Sequence, residues 1–116
     1  MGMRNLVKIF KALSDSNRIR ILKMLQLRPL CVCEITAVLN LATSTVSKHL
    51  SLLRDVDLIL DKKEGKWVIY TLNENSGQTY VTELLPLIGR WIPDDETIHK
   101  DAKKVKTVDR NILCRT

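Results

Sequence analysis

The sequence predicts a mainly helical chain with one β-hairpin, in the order α-α-α-α-β-β-α. Three observations carry that reading. Apolar residues recur at helical spacing through the first half of the chain. The third and fourth of these helices are separated only by Asn40-Leu41-Ala42. Directly after the fourth, the pattern changes to two short strand-like runs around a polar turn that contains Gly65.

Leu6, Ile9, Phe10 and Leu13 predict a first helix over residues 6–13. Ser14-Asp15-Ser16-Asn17 supplies capping side chains for a second, which runs to about Leu25 with Ile19, Ile21, Leu22 and Leu25 as its apolar stripe. Pro29 suits the first turn of a third helix, where its missing N–H is no loss. That helix extends to about Leu39, with Ile35, Val38 and Leu39 facing inward. Thr43 or Ser44 can cap the fourth, which carries Val46, Leu50, Leu53 and Val56. Two helices joined by so short a turn match the helix-turn-helix signature.

Residues 58–60 and 67–72 read as strands, with 61–66 as a polar turn and Gly65 as its flexible point. A hairpin directly behind such a helix pair is a wing. A loop over 73–77 leads to a long amphipathic helix with Val81, Leu84, Leu85, Ile88 and Trp91, which Pro86 should kink or break. The expected organisation is a winged helix-turn-helix unit over 1–93 and a charged tail over 94–116 that carries Cys114. Loose helix and disorder both fit the tail.

A chain of 116 residues makes one core, small enough that a partner subunit would help. No secretory leader and no apolar run of membrane-spanning length is read, so membrane partners are not expected. The net charge of +6 favours an anionic partner, of which nucleic acid is the commonest. Three cysteines are an odd number, unlike a secreted disulfide framework, and a reducing cytoplasm is the expected compartment. There is no nucleophile–base–acid set, no glycine-rich phosphate loop and no carboxylate pair in a plausible pocket, so no enzyme is expected.

Cys31-Val32-Cys33 precedes the fourth helix by one element. Thiolates are the ligands that soft ions and metalloids prefer. On a regular helix residues two apart stand roughly 200° apart in rotation, so the two sulfurs should diverge unless the helix start loosens. That divergence would make ligand binding and an intact third helix compete. The helix dipole should also favour the thiolate near neutral pH.

Thr45-Val46-Ser47-Lys48-His49-Leu50, then Leu53-Arg54, then Gly65-Lys66-Trp67-Val68-Ile69-Tyr70, resembles the ArsR/SmtB family of winged-helix repressors. Leu13-Ser14-Asp15, Arg18 and Ile21-Leu22 extend the resemblance, which spans about Lys8 to Leu72. Leu30-Cys31-Val32-Cys33 is similar to the ligand motif of its arsenite-, antimonite- and cadmium-sensing branches. The resemblance implies a homodimeric repressor that leaves double-stranded operator DNA when its inducer binds.

It also implies that the fourth helix enters the major groove. Thr45, Ser47 and His49 are then expected at base edges or nearby phosphates, with Ser44 beside them and Lys48 mainly on phosphate. Lys62, Lys63 and Lys66 of the wing are expected on flanking phosphates or in the minor groove. The first helix and the last long helix are the expected dimer surfaces. The expected inducer is As(III) or Sb(III), held by Cys31, Cys33 and Cys114, with no permanent cofactor. Arsenite repressors of the family can carry a third cysteine four residues after the second; here that position is Ala37. Cd(II) or Pb(II) is the alternative inducer. A thiol-redox switch at the same cysteines is a further reading, and an arsenate-reducing enzyme the remotest.

Overall fold

The computed structural model describes residues 2–113. Its helices are α1 (Met3–Leu13), α2 (Ser16–Leu25), α3 (Val32–Leu39), α4 (Thr43–Asp55), α5 (Thr79–Arg90), α6 (Glu96–Thr107) and α7 (Arg110–Leu113). They pack around one small antiparallel sheet of order β1-β3-β2, made of β1 (Leu30–Cys31), β2 (Ile59–Glu64) and β3 (Trp67–Leu72). Winged helix-turn-helix architecture is the result, with α3 and α4 as the helix pair and β2–β3 as the wing.

The apolar periodicity names the core correctly. Ile21, Leu22, Ile35, Val46, Leu50 and Leu53 are each wholly withdrawn from solvent. Each such side chain contributes about 1.5–3 kcal/mol by burial. Asp15 caps α2 by accepting from the N–H groups of Asn17 and Arg18 at 2.8 and 3.2 Å. Asn40 closes α3 in the left-handed conformation, with φ 56° and ψ 47°, its N–H on Thr36 O at 2.8 Å. Asparagine tolerates that conformation better than most residues, which is why the chain can turn here within three residues.

Pro29 does not begin a helix. Leu30 and Cys31 are extended and form a third strand, pairing with Tyr70 and Ile69 of β3. Both are buried, so their main-chain groups need partners, and the free edge of β3 supplies them. Helix α3 therefore starts later than its proline suggests, with Cys31 at its N-cap. Ala42 rather than Thr43 or Ser44 holds the N-cap position of α4, without a side-chain bond.

The wing is longer and tighter than expected. Glu64 pairs with Trp67, so the turn is only Gly65 and Lys66, and Lys62 and Lys63 belong to the strand β2. Gly65 has φ 60°, a conformation that costs an L side chain. Gly65→Ala should lower stability by about 1 kcal/mol, seen as a reduced urea midpoint at constant m-value.

Helix α5 runs through Pro86 without a break. It is held against α2 by polar contacts as well as by Val81, Leu85 and Ile88. The Lys23 ammonium donates to the carbonyls of Ile88, Gly89 and Trp91 at 3.2, 3.1 and 2.8 Å, capping the helix end. The Gln26 amide donates to Leu85 O at 3.1 Å. Gly89 allows that approach, since a Cβ there would stand 2.5 Å from Gln26 Nε2.

The charged stretch after Pro93 is part of the same core. Asp95 caps α6 through the N–H of Ile98, and Val105 of α6 joins the core cluster. Asp101 is 3% exposed and accepts both Nε and Nη2 of Arg20 at 2.8 and 2.9 Å. This bidentate pair fastens α6 to α2. Helix α1, by contrast, leaves Met3, Val7 and Phe10 exposed on one face. No helix among the described residues is long and apolar enough to cross a membrane.

Candidate functional site

Cys31 and Cys33 converge. Their sulfurs stand 2.9 Å apart, where helical geometry predicts divergence. The reason is local: Cys31 is the N-cap, with φ −94° and ψ 168°, so the helical rotation of about 100° per residue starts only after it. The expected competition between ligand binding and an intact α3 is thereby overturned. Cys31 is buried. Burial pushes its thiol above the ordinary value and the Glu34 charge adds to that, against partial relief from N–H groups facing the sulfur. The expected lowering by the helix dipole is therefore outweighed at Cys31.

Glu34 organises the start of α3. Its carboxylate accepts the Cys31 N–H at 2.9 Å while the Cys31 sulfur faces the Glu34 N–H, a capping box with cysteine in the place of serine. The carboxylate is 1% exposed, and Arg28 (3.1 Å) and Arg110 of α7 (3.4 Å) balance its charge. Arg28 also donates to the carbonyls of Val105 and Val108 at 2.9 and 3.0 Å. Arg110 lies over the Trp67 ring, 5.8 Å from its centroid, with the Lys66 ammonium 5.1 Å from it.

The two sulfurs line a cavity of about 300 Å³ together with Val32, Thr43, Lys66, Trp67 and Val68. Thr43 is the first residue of α4 and the last three belong to the wing. The buried Trp67 indole N–H finds no acceptor among the described residues. One cavity thus joins the cysteines to both elements expected to meet DNA. Among the described residues no group of three or more His, Cys, Asp and Glu is arranged to hold a metal ion. Cys114, the expected third ligand, lies outside the described residues.

Helix α4 presents Ser44, Thr45, Ser47 and Lys48 to solvent, opposite the buried Val46, Leu50 and Leu53. Because Ala42 offers no side-chain cap, the first N–H groups of α4 are open to an anion. His49 departs from this row. It is half-buried, and its Nδ1 lies 3.1 Å from Nη1 of Arg18, whose Nε donates to Ala12 O at 2.6 Å. His49 thus joins α4 to the end of α1 through Arg18.

The register of the wing separates its lysines. Lys63 faces Val68 across the ladder and shares its side of the sheet with Asp61, which accepts from Arg54 of α4 at 3.0 Å. That side adjoins α4. Lys62, opposite Ile69, points the other way and lines a groove with Arg28 and Arg110. Lys66 sits at the tip. Lys63 is on the α4 side of the wing, Lys62 is on the other, and Lys66 lies in the turn over Trp67.

Sequence reading missed Glu34, Arg28 and Arg110, and named Arg18 and Trp67 only as part of the resemblance, without a role at the site. Glu34 had a usable signal, since an acidic residue three positions after a cap is the capping-box spacing. Arg28 and Arg110 had none, because their contacts run to residues far along the chain, Arg110 reaching Glu34 from 76 positions away.

A sequence profile described as "Bacterial regulatory protein, arsR family" matches residues 15–60. The arsenical resistance operon repressor of Escherichia coli (strain K12) is 35% identical over 109 residues, covering 91% of this chain and 83% of that one. The cadmium resistance transcriptional regulatory protein CadC homolog of Staphylococcus aureus is 41% identical over 71 residues, covering 60% of this chain and 59% of its own. Among solved structures, reduced HlyU from Vibrio cholerae N16961 superposes with a TM-score of 0.65 at 33% identity, covering 78% of this chain and 90% of that one.

Proposed function

The chain belongs to the ArsR family of DNA-binding transcriptional repressors, and from that premise we propose that it is released from operator DNA when As(III) or Sb(III) binds Cys31 and Cys33. The observation that carries this is the 2.9 Å approach of the two sulfurs inside a cavity shared with Thr43 and Trp67. Sulfurs held at about 2.3 Å each by one ion, at an angle no smaller than a right angle, stand at least about 3.2 Å apart. A bridging ion therefore parts the pair, and the cavity walls that must yield are the start of the recognition helix and the tip of the wing. Release follows from displaced reading elements, with α3 intact.

Operator contact is assigned to Ser44, Thr45, Ser47 and Lys48 of α4 and to Lys63 and Lys66 of the wing. His49 holds the recognition helix against Arg18, and Lys62 is left out because its strand position faces away. The exposed Met3, Val7 and Phe10 face of α1 is assigned to a second copy, giving two reading heads about one DNA turn apart. Lys48→Ala should weaken operator binding and lower the slope of log K against log salt by about one unit, measured by fluorescence anisotropy. An unchanged slope removes Lys48 from the interface.

The inducer is tested by titrating the operator complex with arsenite, antimonite, cadmium, lead and peroxide after full reduction. Release by the trivalent metalloids supports the assignment. Release by cadmium or lead alone transfers the site to the divalent-cation reading suggested by the cadmium-resistance relative. Release by peroxide alone, reversed by reductant, makes it a redox switch.

A further inference from the structure

The geometry points to Glu34 as the positioning residue of the cysteine site, held in register by the C-terminal helix α7 through Arg110. This deepens the inducer reading above and rests on it. Three observations converge. The buried Glu34 carboxylate fixes the Cys31 N–H and so the cap conformation that turns the Cys31 sulfur toward Cys33. It is too well committed to be a ligand itself, since Arg28 and Arg110 take its oxygens at 3.1 and 3.4 Å. Arg110 in turn lies on Trp67, which walls the same cavity.

A carboxylate so placed does for two sulfurs what an outer hydrogen bond does for a metal-bound imidazole: it selects the orientation from which ligation occurs. Losing its charge weakens the hold on the Cys31 N–H and leaves two arginines facing each other without a counter-ion. The sulfurs then meet less often in the geometry one atom can bridge. Binding of a bridging metalloid should weaken while the DNA-facing residues, on another helix, keep their places.

Phenylarsine oxide is the probe, because its single arsenic reports sulfur convergence directly. Two As–S bonds form, the two thiol protons leave with the arsenic's oxygen as water, and no oxidation state changes. Affinity is measured on fully reduced protein by Trp67 and Trp91 fluorescence, with operator affinity and thermal midpoint in parallel. Glu34→Gln should weaken binding by about tenfold or more with operator affinity preserved. Asp101→Asn, which opens the equally buried pair between α6 and Arg20 of α2, should lower the midpoint yet leave probe affinity unchanged. If Glu34→Gln does not fold, Arg110→Met serves, with a loss of affinity in the same direction.

Wild-type affinity in Glu34→Gln or Arg110→Met, or an equal loss in Asp101→Asn, overturns the proposal. Arsenite release of the operator complex, run beside it, keeps the two readings apart. Failure of arsenite release with Glu34-dependent probe binding removes the inducer and leaves the positioning role. Arsenite release with Glu34-independent probe binding removes the positioning role alone. A wild-type protein that does not bind the probe removes both.

Discussion

Replacing both cysteines with serine should leave operator binding within about twofold of wild type and abolish release by arsenite and antimonite. The first half follows from the cap. Cys31 occupies the N-cap of α3 with Glu34 three positions on, and serine is among the best residues for that position. Its hydroxyl can accept the Glu34 N–H in place of the sulfur, so α3 and the recognition helix behind it should stay in position. The second half follows from ligand chemistry. Hydroxyl oxygen is a hard donor that stays protonated near neutral pH, and a thiophilic ion loses both bridging ligands at once. Even outer contacts to a bound ion are worth about tenfold or more each, so losing two direct ones should raise the releasing concentration at least about a hundredfold. Electrophoretic mobility shift under titrated arsenite checks both halves. A double variant still released at wild-type concentrations would end the assignment of Cys31 and Cys33 as the inducer site.

Asp101→Ala should be among the most destabilising single substitutions in the chain, by about 3 kcal/mol, read from the urea midpoint at 25 °C. Arg20 sits on α2, two residues from the fully buried Leu22, and its guanidinium is matched atom for atom by the Asp101 carboxylate at 2.8 and 2.9 Å. Removing the carboxylate leaves a largely buried cation without its partner, the costly half of a broken pair. It also weakens the docking of α6 against α2, where the pair stands. The loss should reach the cysteine site through stability alone, which is why its asparagine variant serves as the control for Glu34. A midpoint unchanged in Asp101→Ala would mean that the Arg20–Asp101 pair contributes nothing to stability.

Local pattern carried most of the architecture. The spacing of Ile35, Val38 and Leu39 in one helix and of Val46, Leu50 and Leu53 in the next fixes which faces are buried, and the structure buries all six. Where the reading slipped, a distant partner decided. Leu30 and Cys31 are strand because β3 offers them an edge 40 and 38 positions later. Pro86 stays helical because α2 grips α5 on either side of it through Gln26 and Lys23. The charged run after Pro93 has too few apolar residues to signal a docked helix, yet Val105 and one buried ion pair suffice to dock it.

By itself the sequence determined the helix pair, the hairpin, the exposed row of Ser44, Thr45, Ser47 and Lys48, and the proximity of two cysteines to that row, because periodicity and short spacing are local properties. Tertiary structure decided which way the cysteine side chains point. Their convergence depends on an extended cap residue, a strand pairing and a buried carboxylate neutralised from another helix. None of these can be computed from a residue's immediate neighbours, since each exists only once remote segments meet.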